Sequence, residues 1–450
     1  MTEFSTLNVL APILTAIKEA GYTTPTPIQA QAIPQLLAGR DLLGIAQTGT
    51  GKTAAFAIPI LDFIGRNPRR VKNFRCRTLI LTPTRELAAQ IHQSFETYGK
   101  GTDFFSTVIY GGVGQKPQVK AMALGQDVLI ATPGRLLDLL NQKVAYLDEL
   151  EIFVLDEADR MLDMGFINDI RKIVAKLPPK RQTLLFSATM PADIASLAHK
   201  LLSNPVKVSV TPQSTTVEKI DQKVLFVDQK NKSKLLKHLM ETQNIKQALI
   251  FTRTKHGANK VCQFLDAAGF RASAIHGNKS QAARMKALEG FKLGHVKALV
   301  ATDIAARGID IPGLSHVFNF DLPDVPESYV HRIGRTARAG KSGMAIAFCD
   351  ISERINLRDI EKTIGLKIPI IDHHPFVPPP GQIAPPPQPR GRGGRGGQQR
   401  RHGGGGNRRS QQGQGQGQSR HGQWSSRSNE GGGIRKSFGQ GNNQNNNSSR

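Results

Sequence analysis

Ala46-Gln-Thr-Gly-Thr-Gly-Lys-Thr53 is the stretch that decides how the rest of the chain is read. It follows the pattern G-x-x-x-x-G-K-[ST], with Ala46 where glycine is usual. Residues 41–46 before it are a short apolar run, and residues 54–64 after it suit a helix, with Pro59 as a bend. Strand, loop and helix in that order form the setting in which such a loop cradles phosphates. Gly49 and Gly51 open backbone angles closed to other residues, so successive N–H groups can point into one concavity. Lys52 is then placed to reach the β/γ-phosphates of a nucleotide, and the Thr53 hydroxyl to ligate Mg²⁺. A plain glycine turn before a core helix explains Gly-x-Gly alone, but not Gly-Lys-Thr in this context.

At 450 residues the chain is expected to hold two or three domains. It carries 60 Lys+Arg against 35 Asp+Glu, a formal charge of +25. That charge points to a polyanionic partner, usually nucleic acid. Roughly +11 of it lies from Pro375 onward, where eleven Arg and one Lys face one Glu. Cys76, Cys262 and Cys349 are far apart and lack metal-ligand spacing, so neither a disulfide nor structural zinc is expected, and a reducing cytosol fits. The N-terminus lacks a basic-then-apolar signal pattern, and no run approaches the roughly 20 apolar residues of a membrane span.

Short runs that are aliphatic on both faces alternate with helical stretches: 78–82, 107–110, 127–131, 152–155 and 183–187, then 223–227, 248–252, 272–275, 298–302, 316–319 and 344–348. Runs of this kind read as buried parallel strands, and the alternation as α/β doubly wound sheets. Residues from 203 to 218 read as a polar connector between two such blocks. The expected organisation is an ATP-binding domain at 1–210, a linker at 211–217, a second α/β domain at 218–372 and a disordered Pro/Gly/Arg/Gln-rich tail at 373–450. Trp424 in the tail could stack a base, although a stray aromatic is the plainer reading.

Ligands bind such sheets at the carboxyl ends of the strands, and nearly every polar motif begins there. Asp156-Glu157-Ala158-Asp159 ends one run. Asp156 is placed to hold Mg²⁺, directly or through water, and Glu157 to orient and deprotonate an attacking water. In isolation the acids could equally be the acidic first turn of a helix. Arg332, Arg335 and Arg338 recur every third residue, so a helical turn would set them on one face, as an arginine finger reaching across a cleft or as a basic helix on RNA phosphates. Thr82-Pro83-Thr84-Arg85 and Thr132-Pro133-Gly134-Arg135 read as capped helix starts offering N–H groups and a cation to a backbone phosphate. Gly111-Gly112, Thr252-Arg253, His276-Gly277, Gln281 with Arg284, and Thr302-Asp303 are weaker strand-end candidates. His276 and His331 have no nucleophile or metal-ligand partner at a useful spacing.

Together these motifs resemble the DEAD-box RNA helicases over residues 1 to about 370, and residues 156–159 spell the family's name. The resemblance implies two RecA-like domains that close on ATP, Mg²⁺ and single-stranded RNA. It makes residues 21–29 the glutamine motif, with Gln29 reading the adenine edge and Phe4 or Tyr22 stacking on the base. The phosphate loop then comprises Ala46, Gln47, Thr48, Gly49, Thr50, Gly51, Lys52 and Thr53. Ser187 and Thr189, with Asp159, become the motif coupling hydrolysis to strand separation. In the motif at 301–310, Arg307 lies against RNA and Asp310 against the ribose. Arg335 and Arg338 fall on the two finger positions, and His331 on a position linking the domains near the γ-phosphate. Pro83, Thr84, Arg85, Gly112, Thr132, Arg135, Thr252, Arg253, Gly277, Gln281 and Thr302 become RNA contacts.

Ala337 and Tyr22 depart from the commoner glycine and phenylalanine without removing a needed group. The Gly/Arg/Gln-rich tail resembles the bacterial RNA helicase E (RhlE) group. That implies a monomeric cytoplasmic core, with ribosomal precursors or RNA-decay machinery as partners. An ATP-gated RNA clamp anchoring an assembly, and a DNA-translocating ATPase, compete with RNA remodelling.

Overall fold

The computed structural model describes residues 3–47, 49–210, 220–306, 311, 314–336 and 343–379. The first sheet holds β1 (Leu42–Ile45), β2 (Cys76–Leu81), β3 (Ser106–Ile109), β4 (Gln126–Ala131), β5 (Ile152–Leu155), β6 (Gln182–Ser187) and β7 (Val206–Ser209). Its strand order is β3-β4-β2-β5-β6-β1-β7, and every neighbouring pair is parallel. The second sheet holds β8 (Ile220–Phe226), β9 (Ala248–Phe251), β10 (Ala272–Ile275), β11 (Ala298–Ala301), β12 (His316–Asn319) and β13 (Gly343–Cys349). It is again parallel, in the order β10-β11-β9-β12-β13-β8. This is the two-domain α/β architecture expected from the alternating runs.

Parallel strands need cover on both faces. β2, β4 and β5 are buried at every position, and apolar clusters fill both sides of the first sheet. One side carries the helices Pro27–Leu37, Lys52–Arg66 and Arg85–Tyr98. The other carries Pro133–Asn141, Ile167–Val174 and Ala192–Leu201. Packing is close beneath the phosphate loop. A methyl group added to Gly44 would meet Phe186 at 2.5 Å. Gly44→Ala should therefore destabilise the domain by about 1–3 kcal/mol.

Two boundaries differ from the sequence reading. Residues 203–218 are not connector throughout, because Val206–Ser209 forms edge strand β7 against β1. Its alternating burial, with Lys207 and Ser209 outward, hides it among polar residues. The second domain also runs past residue 372. Val224 N–H donates to Pro369 C=O and Ile371 N–H to Val224 C=O, each at 2.9 Å, so this segment covers the outer edge of β8. Phe376 then packs edge-on to His238 with ring centroids 6.5 Å apart. The 211–217 linker and the tail from residue 380 lie outside the described residues. Among the described residues no helix is long and apolar enough to cross a membrane.

Candidate active site

Strand order assembles the site. β5, β6 and β1 are consecutive in the sheet, so the loops leaving their carboxyl ends lie side by side. They carry the 156–159 acids, Ser187-Ala-Thr189 and the phosphate loop. β3, β4 and β2 are consecutive on the other half, and their ends carry Gly111-Gly112, Thr132-Pro-Gly-Arg135 and Thr82-Pro-Thr-Arg85.

Gly49 and Gly51 take φ values of 87° and 95°, the left-handed region that favours glycine. A side chain on Gly51 would also strike the Gln29 amide. Ala46 is buried, and its N–H donates to Ser187 C=O at 3.0 Å, tying the loop to β6. Thr50 Oγ1 donates to Gln47 C=O at 2.8 Å. Lys52, also buried, donates to Ala46 C=O at 2.8 Å. Thr53 follows it in the first turn of the helix Lys52–Arg66, and Thr48 lies outside the described residues.

Asp156 is buried, and its Oδ1 has no hydrogen-bond partner. Burial pushes its carboxyl up to about 7, Lys52 pulls it back, and the Glu157 charge adds to the rise. An unpaired buried carboxylate oxygen close to the phosphate loop fits a hard oxygen-seeking cation. Among the described residues no group of three His, Cys, Asp or Glu could hold a metal alone. Mg²⁺ in nucleotide sites is carried largely by phosphates and water and needs few protein oxygens.

Glu157 adopts φ 56°, a left-handed conformation that carries about 1–3 kcal/mol of strain in a non-glycine residue. Arg160 Nη1 donates to its Oε2 at 2.8 Å, with both side chains buried. Burial alone would raise its pKa, but Arg160, Lys52 and Arg335 together hold it below the ordinary glutamate value. The ionised carboxylate is therefore favoured.

Asp159 clamps the neighbouring motif. Its Oδ2 accepts from Ala188 N–H at 3.1 Å, Thr189 N–H at 2.9 Å and Thr189 Oγ1 at 3.0 Å. Ser187 Oγ accepts from Asp159 N–H at 3.3 Å and donates to Thr189 C=O at 2.7 Å. These bonds tie Asp159 directly to residues 187–189.

A cavity of about 130 Å³ is walled from the first sheet by Lys52, Glu157 and Arg160 and from the second by His331 and Arg335. Arg332 and Arg335 do not share one helical face. The helix Pro326–Ile333 ends at Gly334, before Arg335. Arg332 turns into its own domain, bidentate to Asp303 at 2.5 and 2.7 Å and donating to Asn319 and to Asp321 C=O. Arg335 Nε donates to His331 C=O at 3.3 Å. Arg338, Arg307 and Asp310 lie outside the described residues.

Gln29 caps rather than protrudes. Pro27 is the first residue of a helix, not part of a loop, and Thr26 and Gln29 form its capping box. Gln29 Oε1 accepts from Thr26 N–H at 2.9 Å, and its Nε2 donates to Gly51 C=O at 3.1 Å. Through these bonds the glutamine motif grips the phosphate loop. Phe4 is packed into the core, whereas Tyr22 is 45% exposed beside Tyr98, so only the latter ring stands open for stacking.

On the track, Thr132 and Pro133 start a helix as expected. In the other copy the helix starts at Arg85, with Thr84 rather than Pro83 at the cap and its Oγ1 accepting from Leu87 N–H. Gly112 has φ 76°, and a Cβ there would collide with the Arg85 guanidinium. Arg135 donates to Val113 C=O at 3.3 Å. Thr252 is buried, and Arg253 is half turned inward to Glu353 at 2.9 Å. Gly277 is open, and Thr302 is half-buried at the end of β11. Gln281 and Arg284 bind Glu86 of the first domain at 2.9 and 3.0 Å and join the two domains. His276 is buried and hydrogen-bonded to Asn259 at 2.9 Å, which suits a structural role.

Sequence reasoning passed over Arg160 and Glu86. Arg160 stands three residues after Glu157, a spacing that pairs side chains on a helix. Glu86 reads locally as a first-turn acid, and its partner lies 195 residues away.

Two RecA-like domains in tandem, both lining a cavity beside the phosphate loop, define the class. A DEAD/DEAH box helicase family model matches residues 26–197, and a helicase conserved C-terminal domain model matches residues 231–340. The chain is 45% identical over 367 residues to the DEAD-box ATP-dependent RNA helicase CshA of Bacillus subtilis, covering 81% of this chain and 73% of that one. It is 43% identical over 369 residues to RhpA of Helicobacter pylori, covering 82% and 74%. The chain belongs to the DEAD-box ATP-dependent RNA helicases. Its structure is similar to S. cerevisiae Dbp5 bound to RNA and ADP BeF3, with TM-score 0.73, 32% identity and coverage of 82% and 96%. Against a Dbp5 variant bound to Nup159, Gle1, IP6 and ADP the TM-score is 0.57, at 31% identity and coverage of 81% and 95%.

Proposed function

We propose that this helicase works by closing its two domains on ATP and RNA together. ATP is held on the Gln47–Thr53 side of the cavity, and Tyr22 stacks on the adenine beside the Gln29 motif. Glu157 takes the proton of the attacking water; Asp156 and the Thr53 hydroxyl would hold Mg²⁺, which would supply charge neutralisation at the phosphates. Arg335 and Arg338 stabilise charge on the transferred phosphoryl group, and His331 is assigned to link the domains near the γ-phosphate. Asp310 is assigned to the ribose. The observation that carries this reading is the shared cavity, in which Lys52 and Glu157 face His331 and Arg335. The higher TM-score to the RNA- and nucleotide-analogue-bound Dbp5 supports a closed arrangement.

RNA phosphates are assigned to Arg85, Gly112, Thr132 and Arg135 in the first domain, and to Arg253, Gly277, Thr302 and Arg307 in the second. Contacts of this kind carry little sequence specificity. One strand is bent away from its complement as the domains close, and hydrolysis releases the clamp. The assignment of a first domain at 1–210, a second α/β domain from 218 that extends past residue 372, and a separate basic tail belongs to the same reading. So do a cytoplasmic setting, a monomeric core and ribosomal precursors or RNA-decay machinery as partners. The Gly/Arg/Gln-rich tail is the basis for placing the chain near the RhlE group. ATP turnover measured with no nucleic acid, with single-stranded RNA and with single-stranded DNA tests the activity. RNA should raise turnover well above the other two, and equal stimulation by DNA would overturn the RNA assignment.

A further inference from the structure

Glu157 needs more than ionisation to act as a base, because its carboxylate must point at the water line. Its left-handed backbone aims the side chain from an unusual angle. The residue that meets it is Arg160, whose Nη1 lies 2.8 Å from Oε2. Both side chains are almost wholly removed from solvent, with 6% and 3% relative exposure. A bond between charged partners in such a place is strong and directional. Arg160 also walls the cavity with His331 and Arg335, and is the one first-domain residue in a small adjoining cavity formed with Asp303 and Arg332. It therefore stands at the seam between the two domains, beside Glu157.

We infer that Arg160 is a positioning residue for the hydrolytic step, fixing the Glu157 carboxylate through Oε2 while contacting neither RNA nor nucleotide itself. The inference rests on Glu157 being the base. The alternative is that Arg160 merely pins the short helix Ala158–Asp163. The two readings separate in kinetics, since misplacing a catalytic group by about 1 Å can lower turnover about 100-fold.

The test uses the full chain with Arg160→Ala and Arg160→Lys, each alone and in a Glu157→Gln background. Arg160→Ala should lower kcat about 10- to 100-fold. KM for ATP, and RNA affinity measured with AMP-PNP, should stay within about twofold. Arg160→Lys should recover part of the loss. In the Glu157→Gln background, Arg160→Ala should change the single-turnover rate by less than about twofold, because a residue acting only through the carboxylate adds nothing once it is gone. An unchanged kcat, a parallel loss of analogue-dependent RNA affinity, or the full drop in the Gln background would each overturn the inference. If Arg160→Ala does not fold, Arg160→Met supplies the same comparison with the volume retained. Normal turnover by Glu157→Gln itself would remove the base assignment and this inference with it. An inactive Glu157→Gln with a normal Arg160→Ala would remove the inference alone.

Discussion

The two domains place a lysine at the same point of the same sheet and treat it in opposite ways. The orders β3-β4-β2-β5-β6-β1 and β10-β11-β9-β12-β13-β8 superimpose strand for strand, so β8 corresponds to β1 and β12 to β5. Lys52 is the first residue of the helix after β1, and Lys232 is the first residue of the helix after β8. Asp156 follows β5 closely, and Asp321 follows β12. In the first domain the lysine bonds a backbone carbonyl, and the aspartate keeps an unpaired oxygen. In the second, Lys232 is fully buried and meets Glu353 at 2.6 Å, Asp350 at 3.3 Å and Asp321 at 3.4 Å. Carboxylates supplied by the chain stand there where phosphates would otherwise be bound. Buried charge is tolerated only when paired, so the domain in which Lys52 meets a carbonyl and Asp156 Oδ1 keeps no hydrogen-bond partner is the one built to receive a ligand.

The contrast can be broken in several places. Arg335→Ala should have the largest effect. Loss of an arginine finger typically lowers turnover 10³- to 10⁵-fold. ATP affinity should survive in a fluorescent-nucleotide titration, because binding rests on the first domain. Loss of nucleotide binding would make Arg335 a structural residue.

The paired lysines should then separate cleanly. Lys52→Ala should abolish ATP binding and hydrolysis while leaving unfolding within about 1 kcal/mol of wild type, since it removes one hydrogen bond. Lys232→Ala should destabilise the second domain by about 3–5 kcal/mol, because it removes the buried cation shared by three carboxylates. Denaturant unfolding and nucleotide titration of both variants settle the comparison, and equal stability losses would refute it.

A smaller effect concerns protons. The folded state raises Asp156 to about 7, so between the ordinary carboxylate range and about 7 the folded protein holds a proton that the unfolded chain has lost. Stability from this group is thus present at low pH and falls as pH rises to about 7. Binding of ATP with its cation needs the ionised form, so it should weaken below about pH 7 and release protons at pH 6.5. Calorimetry in two buffers of different ionisation enthalpy should show the release, and identical heats would contradict it. The smallest effect is expected from the tail. Removing residues 380–450 should flatten the salt dependence of RNA binding, since fewer counterions are released. An unchanged slope would make the tail a spacer or docking segment.

Much of this was legible in the sequence wherever one segment carries its own signal. Strands buried on both faces are continuous apolar runs, and the phosphate loop has glycines that the left-handed angles at Gly49 and Gly51 require. β7 escaped because an edge strand of four residues with Lys207 and Ser209 outward looks like connector. The arginine spacing misled because periodicity holds only while the helix continues, and it stops at Ile333. Contacts between distant segments left no trace. Nothing near Gln29 announces Gly51, and nothing near Glu86 announces Gln281 and Arg284.

The central claim is that the shared cavity couples ATP hydrolysis to RNA strand separation. Release of a labelled strand from matched RNA and DNA duplexes, with ATP or with AMP-PNP, tests it most directly. The account predicts repeated release from RNA with ATP, little from DNA, and no sustained turnover with the analogue. Stable RNA binding with ATP but no strand release would contradict it and leave an ATP-gated clamp, while equal release from DNA would contradict it by making the chain a DNA-acting ATPase.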